Sequence, residues 1–173
     1  NQKKQAQKEA KQYIKHIITT YAYRDSIKSR ELKTQDPIID DFIRAFKHQD
    51  TPDQALCWRD ILQDFRQKKP MNRLVCGDVG FGKTEIAIRA AFVSVLNGLS
   101  VVVLAPTTIL AKQLQHSFFD RLNPFGVSVK TLSSLSQNKE KNTAGFINKK
   151  IDVLIGTSAL LFRTRILQSC GLF

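Results

Sequence analysis

Residues 77–84 read Gly-Asp-Val-Gly-Phe-Gly-Lys-Thr, a complete G-x-x-x-x-G-K-[ST] phosphate loop, and no other feature restricts the fold of this chain as tightly. Gly77, Gly80 and Gly82 let the backbone turn without a Cβ in the way. Successive N–H groups can then converge on phosphate oxygens at the N-terminus of the helix that follows. In such a loop Lys83 reaches the β- and γ-phosphates of a nucleoside triphosphate, and Thr84 places its hydroxyl on Mg2+. The motif requires a strand before it and a helix after it. Arg73, Leu74, Val75 and Cys76 form a short apolar run that predicts the strand. Residues 85–96 predict the helix, with Ile86, Ala90, Val93 and Asn97 on one face and Gly98 as the stop.

The same alternation continues downstream. Residues 101–105 are a continuous apolar run of the kind buried on both faces of a parallel sheet. Pro106, Thr107 and Thr108 cap a helix over 109–122, residues 127–132 alternate as a strand, and 139–148 read as a helix. Residues 151–155 are a further strand, after which Gly156, Thr157 and Ser158 turn into a last short helix. Repeated β-α units with a phosphate loop after the first strand imply an α/β fold of the P-loop class, a parallel sheet with helices on both faces. Upstream, Thr51 as N-cap and Pro52 as first helical residue predict a helix over 52–67, closed by Lys68, Lys69 and Pro70. A shorter helical pattern covers 38–46.

Residues 1–35 carry nine Lys/Arg against three Asp/Glu, and Ala10, Tyr13, Ile14, Ile17, Ile18 and Tyr21 recur at three- and four-residue spacings. This predicts an amphipathic basic helix, either an arm packed through its apolar stripe or a contact for nucleic acid or another partner. With 173 residues there is room for one domain, or one domain plus such an arm. The net charge of +12 favours a polyanionic partner, nucleic acid being the commonest, although a plain solvated basic surface would carry it equally well. Cys57, Cys76 and Cys170 are odd in number and widely spaced, which suggests neither a disulfide framework nor a zinc site and fits a reducing cytoplasm. There is no run of about 18 apolar residues to cross a membrane, and the charged, Gln-rich start does not read as a signal peptide. His16, His48 and His116 are scattered and have no evident catalytic partners.

Residues 74–92, LVCGDVGFGKTEIAIRAAF, closely resemble the first motor motif of the bacterial transcription-repair coupling factors, superfamily-2 DNA translocases related to the branch-migration helicases. Thr51, Pro52, Asp53 and Gln54 resemble the adenine-recognition segment of that family, residues 105–113 its motif Ia and residues 155–161 its motif Ib. The arm, down to Ala45, Phe46, Lys47 and His48, is similar to the connecting helix before the motor. The resemblance implies an incomplete RecA-like P-loop NTPase lobe over 51–173, preceded by a helical arm over 1–50. It implies ATP and Mg2+ as cofactors. Gln54 would bond the adenine edge, with Phe46 packing on the base. Gly77, Gly80, Phe81, Gly82, Lys83 and Thr84 would hold phosphates and the metal, Lys83 and Thr84 being the catalytic pair. Thr107, Thr108, Gln113, Thr157 and Ser158 would lie along a double-stranded DNA track, contacting phosphates without reading sequence. For the threonine pairs, plain helix capping is equally open, and the two roles are compatible.

The resemblance also implies a strand ending in Asp-Glu-x-His, whose carboxylates hold the metal and orient the attacking water, and a second lobe with arginine fingers worth roughly 10³ to 10⁵ in rate. No adjacent Asp-Glu pair occurs in the sequence, and Gly171, Leu172 and Phe173 resemble the lead-in to that strand. The expectation is a truncated gene product or one fragment of a split motor, inactive alone. RNA polymerase and repair proteins would be partners only through the full-length relative. The alternative is a non-catalytic nucleotide- or DNA-binding P-loop module. An unrelated P-loop kinase or GTPase would leave residues 51–54 unexplained.

Overall fold

The computed structural model describes residues 2–133 and 138–172, without the side chains of residues 2–4 and 6–9; Phe173, the last residue of the expected lead-in, lies outside the described residues. Three strands, β1 (Val101–Leu104), β2 (Val129–Leu132) and β3 (Val153–Gly156), pair in parallel in the order β1-β3-β2. Val101, Val153 and Val129 stand in one register row, and Leu104, Gly156 and Leu132 in another. Parallel strands need helical crossovers that cover both faces. The seven helices that provide the crossovers and flanks among the described residues are α1 (Gln2–Ser26), α2 (Pro37–Arg44), α3 (Pro52–Phe65), α4 (Lys83–Leu96), α5 (Thr108–Leu122), α6 (Lys139–Ile147) and α7 (Thr164–Gln168). Short 3-10 turns cover Asn123–Phe125 and Ser158–Phe162.

Side chains alternate across the sheet as the pleat requires. Val101, Val129, Val153 and Ile155 face one way, into a core with Phe42 of α2, Ile88, Ala91 and Phe92 of α4 and Phe118 and Leu122 of α5. Val102, Leu132 and Leu154 face the other way, onto Phe146 of α6, Leu160 of the turn at Ser158–Phe162 and Ile166 of α7. Helix α4 also has its outer side covered: Ile86, Ala90 and Val93 pack against Leu32, Ile39 of α2, and Trp58, Ile61 and Phe65 of α3. It is therefore buried from both sides, which explains a sequence that is apolar at most positions rather than along one stripe. Phe42 ties the layers together, stacked on Phe92 at 4.0 Å between ring centroids and edge-on to Phe125 at 5.0 Å.

The helix starts are set by the residues that predict them. Asp36 caps α2, accepting from Ile38 N at 3.0 Å. Thr51 and Gln54 form a reciprocal capping box on α3, ahead of Pro52. Thr107 caps α5 through Leu110 N at 3.2 Å, and Gly98 ends α4 at φ 72°.

Two expectations are corrected. Residues 73–76 form no strand: Leu74 is 87% exposed, and among the described residues their backbone N–H groups pair with nothing. A strand exists only where a neighbour takes its ladder bonds. Beside β1 stands Leu172, whose carbonyl accepts from Val102 N at 2.9 Å, and no segment among the described residues pairs with 73–76. Arg73 is meanwhile drawn onto α3 by Asp64 at 2.6 Å and Asp60 at 3.1 Å. A groove of about 270 Å3, lined by Val75 on one side and residues 101–104 on the other, separates the run from the sheet edge.

The basic helix ends at Ser26 rather than near residue 35, and its stripe does not dock on the described residues, Tyr13, Ile14, Ile18 and Tyr21 being 54–67% exposed. The docking is done by the irregular stretch that follows. There Ser29 N donates to Lys68 O at 2.9 Å, Leu32 N to Phe65 O at 2.8 Å and Lys33 N to Asn97 Oδ1 at 2.8 Å. Arg30 donates to Asn97 O, and Leu32 is buried. No helix among the described residues is long and apolar enough to cross a membrane.

Gly156 admits no side chain: a Cβ there would meet Leu132 O at 2.5 Å and Leu160 Cδ1 at 2.6 Å. The carbonyl belongs to the neighbouring strand and cannot rotate away. Gly156→Ala should cost about 1–3 kcal/mol of stability by overpacking, read as a lower urea midpoint at unchanged m-value.

Candidate functional site

The loop of residues 77–82 is exposed over 77–80, half-buried at Phe81 and Gly82, and held by few bonds. Phe81 N donates to Asp78 O at 3.2 Å, and Gly80 and Gly82 take left-handed φ of 84° and 73°, which side chains rarely adopt. Helix α4 opens directly from Gly82 and, like α6 and α7, has no side-chain cap, whereas α2, α3 and α5 each have one. The first N–H groups of α4 therefore point outward with the positive end of the helix dipole behind them. Lys83 adds an exposed ammonium, which donates to Gly77 O and Asp78 O, each at 2.6 Å. Thr84 is half-buried in the first turn. Glycines, uncapped N–H groups and one ammonium are a donor-only set that fits a phosphate chain, and the adjacent hydroxyl fits a hard cation bound to it.

Gln54 belongs to the same site. Its Oε1 accepts from Thr51 N at 2.9 Å and its Nε2 donates to Phe81 O at 2.7 Å, so the first turn of α3 is bonded to the phosphate loop. The approach is close enough that a Cβ on Gly82 would meet Gln54 Nε2 at 2.4 Å. Phe46 is half-buried near this segment, with the Arg89 and Arg121 guanidinium carbons 5.5 Å and 5.3 Å from its ring centroid.

Between Phe46 and α4 lies a charged cluster that sequence reasoning missed. Arg89, 1% exposed, forks onto Asp50 at 2.6 and 2.7 Å and donates through Nε to Glu85 at 3.0 Å. Arg121 of α5 donates to both Glu85 oxygens, at 3.0 and 2.7 Å, and to Phe42 O at 3.0 Å. Burial works against the Arg89 charge, but its bonds to Asp50 and Glu85 outweigh that and push its pKa above the ordinary value. Two positive and two negative groups balance, as buried charges must. One signal was available: Glu85 and Arg89 stand four residues apart on a helix that is apolar at most positions, where buried charges need partners.

The residues expected along a DNA track divide by position. Because β1 and β3 pair Leu104 with Gly156, the turns bearing Thr107 and Thr108 and bearing Thr157 and Ser158 leave the same edge of the sheet. Thr107 caps α5; Thr108 and Thr157 are half-buried and Ser158 exposed. Gln113 is exposed on α5, a turn further on. Lys83 and Leu104 line the same groove, so the phosphate loop faces the strand end from which the first of these turns emerges.

Comparison with known proteins agrees with this arrangement. The DEAD/DEAH box helicase profile matches residues 51–173. The transcription-repair-coupling factor of Bacillus subtilis (strain 168) is 36% identical over 172 residues, covering 98% of this chain and 15% of its own length. That of Escherichia coli (strain K12) is 42% identical over 147 residues, covering 84% of this chain and 13% of its own. Among solved structures, RecG bound to a three-way DNA junction superposes with a TM-score of 0.78 at 31% identity, over 84% of this chain and 20% of that one. The chain thus spans 13–15% of the length of these two curated relatives. With a P-loop lobe in which α4 opens uncapped beneath the phosphate loop, and with the family profile running over 71% of its residues (123 of 173), the chain belongs to the DEAD/DEAH box helicase family.

Proposed function

We propose that residues 51–173 are the ATP-binding segment of a DNA translocase acting in transcription-coupled repair, led into by a helical arm over residues 1–50. The uncapped start of α4 beneath the loop, with Lys83 above it, carries this reading. Lys83 exchanges the carbonyls of Gly77 and Asp78 for β- and γ-phosphate oxygens, and the N–H groups of Gly80, Gly82, Lys83 and Thr84 take the remaining oxygens. Thr84 supplies one oxygen to Mg2+, which neutralises phosphate charge when bound. Gln54 keeps one amide hydrogen and one carbonyl lone pair after bonding Phe81 and Thr51, enough for two bonds to an adenine edge. Phe46 packs on the base.

Thr107, Thr108, Gln113, Thr157 and Ser158 contact the phosphates of double-stranded DNA, the net charge of +12 supplying long-range attraction. The likeness to transcription-repair-coupling factors supports movement along DNA, displacement of stalled RNA polymerase and recruitment of repair proteins for the longer assembly in which such a segment works. The three free cysteines support a reducing cytoplasmic setting. With no adjacent Asp-Glu pair in these 173 residues, the water-orienting carboxylate comes from outside them, and the chain by itself binds ATP without turnover.

Calorimetric titration of the 173-residue chain should show ATP binding that weakens when EDTA removes Mg2+ and falls about 10- to 100-fold in Lys83→Ala, the loss expected for charge-assisted bonds. ATP release of phosphate should stay at the buffer rate, with or without DNA. Wild-type protein that binds no ATP, or turns it over with DNA stimulation, would overturn the reading in its first or its last part respectively.

Duplex DNA should bind with an affinity that drops steeply between 50 and 200 mM salt and survives Lys83→Ala, because phosphate contacts along the track need not involve the loop. An affinity indifferent to salt, or abolished by Lys83→Ala, would remove DNA from the assignment.

A further inference from the structure

The charged cluster closes a circuit through the candidate site. Starting on α4, Arg89 forks onto Asp50. The next residue is Thr51, whose hydroxyl accepts from Gln54 N at 3.2 Å and whose own N–H is held by Gln54 Oε1. Gln54 Nε2 then donates to Phe81 O in the phosphate loop, and one residue later Gly82 opens α4 again. Glu85 closes the inside of the ring, one turn below Arg89 and bonded to Arg121 of α5. Every junction is a hydrogen bond or a peptide bond.

The position of the ring in the fold makes it consequential. The phosphate loop has no strand to hold it, since residues 73–76 are unpaired; its anchors are α4 on one side and Gln54 on the other. Helix α4 is fixed by two packed layers. Segment 50–54 lies at the surface, Thr51 and Asp53 being exposed. Its polar ties are the fork from Asp50 to Arg89 of α4 and the Gln54 amide at Phe81 of the loop, while the body of α3 packs on α4 further along through Trp58, Ile61 and Phe65. An Arg-carboxylate fork fixes direction as well as distance, because two parallel N–H···O bonds resist rotation. Arg89 itself cannot swing, with its third bonding edge occupied by Glu85 and 99% of its surface covered.

We propose that Asp50 and Arg89 are positioning residues for base recognition: their fork sets the distance between the adenine-reading Gln54 and the phosphate loop, so that base and triphosphate are read together. This rests on the nucleotide-binding reading above. The fork touches neither ligand end. Loosening it leaves the loop donors as they are but lets Gln54 drift relative to them, and a misplaced reader loses selectivity before it loses contact.

The test compares three probes on one protein: Mg-ATP, Mg-GTP and inorganic triphosphate with Mg2+. Asp50→Asn keeps the shape and removes the charge. It should lower ATP affinity about tenfold and bring the ATP-over-GTP preference toward one, while triphosphate affinity holds within about twofold. In a Gln54→Ala background the same substitution should change ATP affinity by less than about twofold, because the two residues act in series. Equal loss for ATP and triphosphate would mean a merely structural role and would overturn the proposal, as would an unchanged ATP-over-GTP ratio or full additivity with Gln54→Ala. Wild-type chain that binds none of the three probes sinks the nucleotide reading itself, an outcome distinct from these. Should Asp50→Asn unfold the protein, Asp50→Glu carries the same comparison, its extra methylene displacing the fork while keeping the charge.

Discussion

Burial of α4 on both sides is the constraint from which the rest of the molecule follows. A helix enclosed between a sheet and a second helical layer cannot be amphipathic in the usual sense; it must present apolar side chains to two cores, as Ile88, Ala91 and Phe92 do to one and Ile86, Ala90 and Val93 to the other. Two charges on such a helix are tolerable only with neutralising partners, and Asp50 and Arg121 are brought in from before α3 and from α5 to serve. One enclosed helix thereby fixes the placement of the segment before α3, of α5 and of the glycine loop from which it starts.

The open end of that helix stands in contrast to its enclosed body. Three other helices, α2, α3 and α5, start on the caps Asp36, Thr51 and Thr107, whereas α6 and α7, like α4, have none. Leaving the start of α4 bare forgoes roughly 1 kcal/mol of capping, and the two packed layers around the helix absorb that loss. A rigid, doubly packed helix with uncapped donors beneath a glycine loop is the arrangement expected where stability is given up locally for binding.

What could be read from the sequence was whatever depends on neighbours along the chain. Thr51 before Pro52, Thr107 before the 109–122 pattern and Gly98 after an apolar helix each act within one turn, so the local rule decided the outcome. The phosphate loop is of the same kind, its chemistry contained in eight residues. The strand expected at residues 73–76 was not, because an apolar run becomes a strand only if another segment offers its edge, and none of the described residues offers one to this run. The helix of the arm was legible but its packing was not: three- and four-residue spacing establishes that one face of α1 is apolar, not that anything lies opposite it. The Asp50 and Arg121 partners of α4 stand 39 and 36 residues from their contacts, beyond any periodicity argument. Gln54 shows both sides, since its place in a capping box was local and its bond to Phe81 was not.

The exposure of the α1 stripe also divides the chromophores of the chain. All three tyrosines, Tyr13, Tyr21 and Tyr23, stand on that helix in solvent, while the single tryptophan, Trp58, is 7% exposed between α3 and α4. Ultraviolet emission from the two residue types thus reports on two separate parts of the molecule, indole fluorescence on the outer core layer and phenol fluorescence on the arm. Non-coincident optical transitions would then signal fraying of the arm ahead of the lobe, resolved without any label.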